Sequence, residues 1–181
     1  ATPDDLSDNP RTRTEYDAAG QMLAQVDERG NRTEFDYDDA GRQTDIQYPN
    51  GAEAIYNYDD ADRLLSIQHT SPVSGLIAVF TYTMDNVGNR LTMQDLDGTT
   101  SYVYDALHRL TQVTYPGGEI VRYANDPMGN RTAMTVTGSI RTNYVYDPAS
   151  RLTSVNGQTY TWDNNGNLLN DGSSTYSYDS A

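Results

Sequence analysis

The amino-acid sequence predicts an all-β protein built as a repetitive ribbon of antiparallel β-hairpins. A motif of the form aromatic-x-aromatic-Asp-x-x-Gly recurs along the chain, and its aspartates stand 16 to 26 residues apart. The two aromatic positions are separated by one residue, so both rings lie on one face of a strand. A repeat of about 20 residues is typical of proteins whose units pack only against their neighbours.

The aspartate of each motif is predicted to begin a tight turn. Asp is favoured at the first position of a type I turn, where its carboxylate accepts from main-chain amides. The fourth position needs a left-handed backbone, as in the type I turn plus bulge of three-residue hairpin loops. Asp62, His108 and Ser150 stand where other motifs have Gly, and Asp and His tolerate positive φ better than most residues. The predicted structural turn residues are Asp17, Gly20, Asp38, Gly41, Asp59, Asp85, Gly88, Asp105, Asp126, Gly129, Asp147, Asp163 and Gly166.

A second kind of turn closes each unit on its other side. Residues 48–51 and 115–118 begin Tyr-Pro and end in Gly, as type I or II turns prefer. Asn156-Gly157 and Asp171-Gly172 are dipeptides favoured in two-residue hairpin loops. The longest interval contains residues 70–75, which are predicted to form an enlarged loop.

The repeats predict one continuous array. We expect an irregular lead-in over residues 1–14 and a repeat array of about eight hairpin units over residues 15–181, cut from a longer protein. So many strands exceed what an open sheet usually holds without curling, so a curled sheet is expected. The aromatic residues should then form ladders across neighbouring hairpins.

Composition narrows the classes of function. The formal net charge is −14, and all 12 basic residues are Arg, so binding to a phosphate backbone is not expected. No apolar run approaches the length of a membrane span, and the absence of Cys and Lys excludes thiol and Schiff-base chemistry. The two His residues lack ligand partners at metal-site spacing. We therefore predict no cofactor, no metal site and no enzymatic activity in this segment.

The turn sequences resemble the YD repeat of the RHS family. The matching stretches are Tyr37-Asp38-Asp39-Ala40-Gly41-Arg42, Met84-Asp85-Asn86-Val87-Gly88-Asn89-Arg90-Leu91 and Asp126-Pro127-Met128-Gly129-Asn130-Arg131. The resemblance covers residues 15 to 179 and implies a long ribbon of hairpins that spirals into a hollow shell. In bacterial members the shell holds a C-terminal toxin; teneurins are the animal counterparts. The self-cleaving core that follows the repeats in the family has no match here.

The resemblance implies a non-catalytic shell segment of a secreted or contact-delivered bacterial toxin, located outside the cell or at its surface. Its expected partners are the toxin cargo of the same chain and neighbouring repeats, and the raw sheet edges favour self-association. The alternative is a cell-surface module that binds carbohydrate or mediates adhesion, with Tyr160 and Trp162 as the first candidates for glycan contact. A third interpretation is a plain structural stalk. The arginines that follow the turns are expected to pair with aspartates of neighbouring hairpins.

Overall fold

The computed structural model describes residues 12–179 as strands, turns and connecting segments. These residues contain no helix long and apolar enough to cross a membrane. The strands are β1 (Arg13–Tyr16), β2 (Met22–Val26), β3 (Arg32–Tyr37), β4 (Gln43–Gln47), β5 (Glu53–Tyr58), β6 (Leu64–Ser71), β7 (Gly75–Met84), β8 (Arg90–Asp95), β9 (Gly98–Tyr104), β10 (Leu110–Thr114), β11 (Ile120–Asn125), β12 (Arg131–Val136), β13 (Thr142–Tyr146), β14 (Leu152–Val155), β15 (Gln158–Thr159), β16 (Thr161–Trp162) and β17 (Leu168–Asn170).

The chain forms two compact units that divide after Thr99. In the first unit each strand from β1 to β8 pairs antiparallel with the next along the chain. In the second unit the same order runs from β9 to β15, and β16 pairs with β17. The predicted all-β ribbon of antiparallel hairpins is confirmed.

The first strand begins at Arg13, two residues before the start predicted for the repeat array. Residues 1–11 of the predicted lead-in lie outside the described residues, as do residues 180 and 181 at the end of the array. The irregular lead-in therefore has no counterpart at residues 13 and 14, where β1 pairs with β2.

A one-residue register shift accompanies the aspartate turns. It lies between Asp36 and Tyr37 in the β3–β4 hairpin, and between Asn57 and Tyr58 in the β5–β6 hairpin. A type I turn followed by a residue at positive φ makes this bulge, because one strand carries an extra residue. The bulge keeps the alternation of side chains in step from hairpin to hairpin, so the sequence repeat can continue.

Residues 70–75 do not form the enlarged loop that the sequence predicts. Strands β6 and β7 run on into this segment, and Ser71 pairs with Gly75 across a short turn. The Ser71 hydroxyl accepts hydrogen bonds from the main-chain amides of Val73 and Ser74 at 3.2 and 3.4 Å. The extra residues therefore lengthen a hairpin, because a Ser side chain can replace the missing main-chain partners inside the turn.

The buried core is thin. The most deeply buried apolar residues are small or β-branched: Ala24, Ala54, Val113, Val121 and Ala133, each no more than 7% exposed. Among residues 12–179 no large side chain is fully buried. A sheet of this kind leaves both faces half wet, so its stability depends on contacts between neighbouring strands.

The predicted ladders of aromatic rings need a correction. Tyr56 lies directly opposite Ile67, and Ile67 lies opposite Phe80 on the next strand. In the second unit Tyr144 lies opposite Val155. Each ring therefore packs against an aliphatic residue of the return strand, because the motif supplies aromatics only to alternate strands. The rows are mixed aromatic and aliphatic, with two strand spacings of about 4.8 Å each between successive rings.

Candidate functional site: the recurring aspartate turn

The aspartate turn between β3 and β4 shows the geometry that recurs along the chain. The Gly41 amide donates to the Asp38 carbonyl at 2.9 Å, and the Asp38 amide donates to the Arg42 carbonyl at 2.9 Å. Gly41 has a φ of 81°, which a residue with a Cβ reaches only at a steric cost. Two main-chain bonds thus close the turn, and they require one left-handed residue.

The carboxylate of Asp38 completes the turn. Its Oδ1 accepts from the amides of Ala40 and Arg42 at 3.0 and 2.9 Å, and its Oδ2 accepts from Arg42 Nε at 2.7 Å. These bonds favour the ionised form, and the Arg42 amide is the largest cause of a pKa of Asp38 below its usual value. The same set of bonds surrounds Asp59, Asp105 and Asp147.

The arginine four residues after the aspartate also joins its turn to the following one. Arg42 Nη1 donates to the Asp59 carbonyl at 2.8 Å, and Arg63 Nη1 donates to the Asp85 carbonyl at 2.8 Å. In the second unit the equivalent bonds run from Arg109 to Asp126 at 2.6 Å and from Arg151 to Asp163 at 3.2 Å. We call this arrangement the arginine clamp; its members are Arg42, Arg63, Arg109 and Arg151.

The clamp differs from the ion pairing that the sequence predicts. Each clamp arginine forms its salt bridge with the aspartate of its own turn, four residues earlier. Its link to the neighbouring hairpin is to a main-chain carbonyl. Arg42 in addition contacts Asp62 of the next turn at 2.8 Å. The prediction was incomplete because sequence shows which charges are present but does not show that a planar guanidinium can serve two turns at once.

Other turns use asparagine at the position of the clamp arginine. The side-chain amides of Asn89, Asn130 and Asn167 donate to Oδ2 of Asp85, Asp126 and Asp163 at 2.8 to 2.9 Å. The amide of Asn130 also contacts the Ser150 hydroxyl at 3.2 Å. Arg and Asn therefore satisfy the same carboxylate oxygen, one as a cation and one as a neutral amide.

The sequence-predicted turn residues all occupy turns of this geometry. The main-chain amide of the Gly, or of the residue that replaces it, donates to the carbonyl of the aspartate three residues earlier at 2.9 to 3.2 Å. The residues at positive φ are Gly20, Gly41, Asp62, Gly88, His108, Gly129, Ser150 and Gly166, with φ between 59 and 94°. The aspartates paired with them are Asp17, Asp38, Asp59, Asp85, Asp105, Asp126, Asp147 and Asp163.

Sequence reasoning missed a turn of the same kind on the opposite edge of the first unit. Asp27 accepts from the amides of Arg29 and Asn31 at 2.8 Å, and Gly30 donates to its carbonyl at 3.0 Å. Asp-x-x-Gly is present there, but Val26 replaces the aromatic residue before it. The signal was therefore the turn sequence alone. Tyr48 replaces the aspartate in another turn of this backbone geometry, closed by its bonds with Gly51 and Ala52.

Several arginines lie over tyrosine rings. The Arg42 guanidinium carbon is 5.1 Å from the centre of the Tyr58 ring, and Arg131 is 4.8 Å from that of Tyr144. Cation–π contact of this kind contributes about 0.5–1 kcal/mol at exposed sites. At Arg42 the ring and the turn thus share one cation, which ties the aromatic half of the motif to its acidic half.

Tyr160 and Trp162, the candidates for glycan contact, are both half-buried. The Trp162 indole nitrogen donates to the Leu152 carbonyl at 2.7 Å. The Tyr160 amide donates to the Thr153 carbonyl at 2.9 Å. The polar end of Trp162 is therefore used inside the ribbon, where it joins β16 to β14.

One cluster of carboxylates departs from the turn pattern. Asp45 on β4 lies directly opposite Asp36 on β3, with Glu53 of β5 close by. Its Oδ1 atom is buried and accepts no hydrogen bond within the described residues. Burial, followed by the nearby Glu53 and Asp36, raises the pKa of Asp45 to about 6. Two ionised carboxylates cannot bond to each other, so Asp45 and Glu53 share a hydrogen bond only when one of them carries a proton.

The acidic residues in residues 12–179 form no group of three or more side chains that could hold a metal ion. The carboxylates of most turns are instead occupied by main-chain amides and by arginine or asparagine, whereas Asp17 accepts from the amides of Ala19 and Gln21. The chemistry of the recurring site is thus self-contained: its donors and acceptors are paired within the ribbon.

Known proteins are similar to this chain in sequence and in fold. The description RHS Repeat matches residues 16–53, and Teneurin YD-shell matches residues 84–181. The tRNA3(Ser)-specific nuclease WapA of Bacillus spizizenii and the tRNA nuclease WapA of Bacillus subtilis are each 35% identical over 79 residues. That match covers 42% of this chain and 3% of either relative.

Solved structures have a fold similar to that of this chain. A crystal structure of TcdB2-TccC3-TEV aligns with a TM-score of 0.59 at 18% identity, covering 87% of this chain and 12% of the other. A Tc holotoxin pore of Photorhabdus luminescens aligns with a TM-score of 0.54 at 17% identity and the same coverage. The hairpin ribbon, the aspartate turns and the match over residues 84–181 together lead to one conclusion: this chain belongs to the teneurin YD-shell family.

Proposed function

We propose that this chain is a non-catalytic segment of the β-shell of a secreted or contact-delivered bacterial RHS/YD-repeat toxin, and that the shell encloses a C-terminal toxin cargo. The observation that carries the proposal is the arginine clamp. In the four repeats that have it, a charged side chain joins one turn to the next, for example Arg63 to Asp85 at 2.8 Å.

A wall has different requirements from an active site. An active site directs polar or titratable groups into a pocket, where they remain available to a substrate. Here Asp59 has both carboxylate oxygens occupied, by two main-chain amides and Arg63. Groups used in this way stabilise a surface and leave little chemistry for a ligand. The WapA relatives and the toxin structures of similar fold support the toxin setting, and the chain spans only 3% and 12% of their lengths.

Protection of the cargo from protease tests the proposal. The parent protein is digested briefly, and the survival of its C-terminal region is followed by mass spectrometry. A second form lacks residues 38–58, which is one repeat from one turn aspartate to just before the next, so the strand alternation is kept. A third form carries Asp39→Asn at an exposed turn position as a control for handling.

Encapsulation predicts that the C-terminal region survives in the intact and Asp39→Asn proteins and is cut in the deletion form. The deletion opens a gap in the wall without removing the cargo. Digestion of the C-terminal region at one rate in all three proteins would refute encapsulation. Survival of the C-terminal region under protease is therefore the deciding measurement.

A further inference from the structure

We infer that Asn156 is a site of spontaneous modification, at which the main-chain nitrogen of Gly157 attacks the side-chain amide and water completes its conversion to aspartate or isoaspartate. The inference rests on a contrast inside the chain. Three asparagines precede glycine: Asn50, Asn156 and Asn165. The glycine nitrogen is the nucleophile in such a reaction, so its hydrogen bond decides which of the three reacts.

Two of the three nucleophiles are held in turns. The Gly51 amide donates to the Tyr48 carbonyl at 2.8 Å, and the Gly166 amide donates to the Asp163 carbonyl at 3.2 Å. A bonded amide must leave its carbonyl before the nitrogen can lose its proton and turn toward the asparagine, so local opening precedes reaction. The shorter bond at Gly51 makes Asn50 the better protected of these two sites.

The Gly157 amide is different. Within residues 12–179 it donates to no main-chain or side-chain acceptor. Asn156 and Gly157 form a two-residue loop, because Val155 pairs directly with Gln158. Such a loop leaves the amide of its second residue pointing to solvent. Both residues are exposed, and a Cβ added at Gly157 would meet no atom within 4 Å, so water and base reach the nitrogen freely.

The side-chain carbonyl carbon of Asn156, which the nitrogen attacks, is also activated. Oδ1 of Asn156 accepts a hydrogen bond from the Asn143 amide at 2.7 Å. A donor on this oxygen withdraws electron density from Cγ and stabilises the negative charge that forms on the oxygen during attack, as donors do in an oxyanion hole. The Asn156 amide donates in return to the Asn143 carbonyl at 2.9 Å, which holds the residue in place.

The reaction needs only water. The Gly157 nitrogen loses its proton to solvent base and forms a bond to Cγ of Asn156. The Cγ–Nδ2 bond breaks, and Nδ2 leaves as ammonia after gaining a proton. Water then adds to either carbonyl of the five-membered imide and opens it, giving aspartate or isoaspartate.

The two products have different consequences for the ribbon. Aspartate keeps an oxygen that accepts from the Asn143 amide. Isoaspartate adds one atom to the main chain of a two-residue loop, whose length fixes the pairing of Val155 with Gln158. The isoaspartate form therefore loosens β14 and β15, and with them the bond from the Tyr160 amide to the Thr153 carbonyl.

Peptide mapping of the aged protein tests the inference. The purified native protein is kept at mildly alkaline pH, and the conversion of each of the three asparagines is followed by mass spectrometry. A parallel sample is unfolded in urea. In the native protein Asn156 should convert roughly 3- to 10-fold faster than Asn50 and Asn165, the factor that one hydrogen bond implies. In urea the three rates should become similar, because each asparagine then precedes an unconstrained glycine.

Equal native rates, or faster conversion at Asn50 or Asn165, would overturn the inference, and so would absence of conversion at Asn156 while the urea sample reacts. Asn156→Gly provides a check on the assignment, since Gly tolerates the positive φ of 49° at this position. That variant should lose the converted peptide and keep the native rates at Asn50 and Asn165. Faster amide exchange at Tyr160 in aged wild type, but not in aged Asn156→Gly, would show the loosening of the hairpin.

Discussion

Asp45→Asn should stabilise the protein at neutral pH and have no effect below about pH 4. At that low pH the Asp45 carboxyl is protonated in both the folded and the unfolded state, so it is uncharged, as Asn is. The wild-type side chain is an orphaned carboxylate: its Oδ1 is buried without a donor, and Asp36 lies directly opposite. Asn is neutral and its amide can donate to Glu53, so the substitution removes repulsion and adds a bond.

The direction in which stability changes with pH follows from the direction of the pKa change of Asp45. The pKa of Asp45 rises from 3.8 to about 6 on folding, so between these values the folded state binds more protons than the unfolded state. Wild-type stability therefore falls as pH rises through this window, and the cost is fully present above about pH 6. A pKa change of this size corresponds to about 3 kcal/mol. Solvent reaches part of the side chain, so we expect about 1–2 kcal/mol.

Urea unfolding followed by circular dichroism, repeated across the pH range, measures this difference. Asp39→Asn in the β3–β4 turn is the matched control, since it removes the same charge from an exposed position of the same hairpin. Only Asp45→Asn should gain stability between about pH 4 and pH 7. A pH-independent gain, or an equal gain in the control, would refute the reasoning from burial and repulsion.

Four further substitutions test the turns, the clamp and the Trp162 contact by the same unfolding measurement. Gly129→Val should lower the free energy of unfolding by about 1–2 kcal/mol because φ is 94° there. Ser150→Gly should raise the free energy of unfolding by up to about 1 kcal/mol by relieving a φ of 59°. An unchanged free energy of unfolding in Gly129→Val would contradict the requirement for a left-handed residue. Arg63→Lys should cost about 1 kcal/mol because an ammonium cannot serve its own Asp and the Asp85 carbonyl together, and an unchanged urea midpoint would argue against the clamp. Trp162→Phe should cost about 0.5–1.5 kcal/mol through loss of the bond to the Leu152 carbonyl, and a glycan titration that loses binding with no loss of stability would favour a ligand-binding role.

The backbone of the turns could be predicted from the sequence. Asp and Gly at fixed offsets determine a local geometry, and the residues at positive φ include Asp62 and His108 where Gly is absent. Local chemistry decides such positions without reference to distant residues. The hairpin ribbon followed from the same local rule applied many times.

Contacts between hairpins could not be predicted in the same way. The forward bond from Arg63 to the Asp85 carbonyl depends on strand register and on the direction of a long side chain, which the repeat does not specify. The mixed rows, such as Tyr56 opposite Ile67, also depend on register. In the sequence Asp45 does not differ from the many other aspartates. Only its pairing with Asp36 shows that its charge is poorly compensated.

The arginine clamps all run in the same direction along the chain. In every clamp the donor comes earlier in the chain than the carbonyl it contacts, by 12 to 22 residues. During synthesis the guanidinium has already left the ribosome when its acceptor emerges. Each new hairpin can therefore bind, as soon as it is made, to a guanidinium that has already emerged. A long ribbon can then fold in the order of translation, without contacts to residues that have not yet been made.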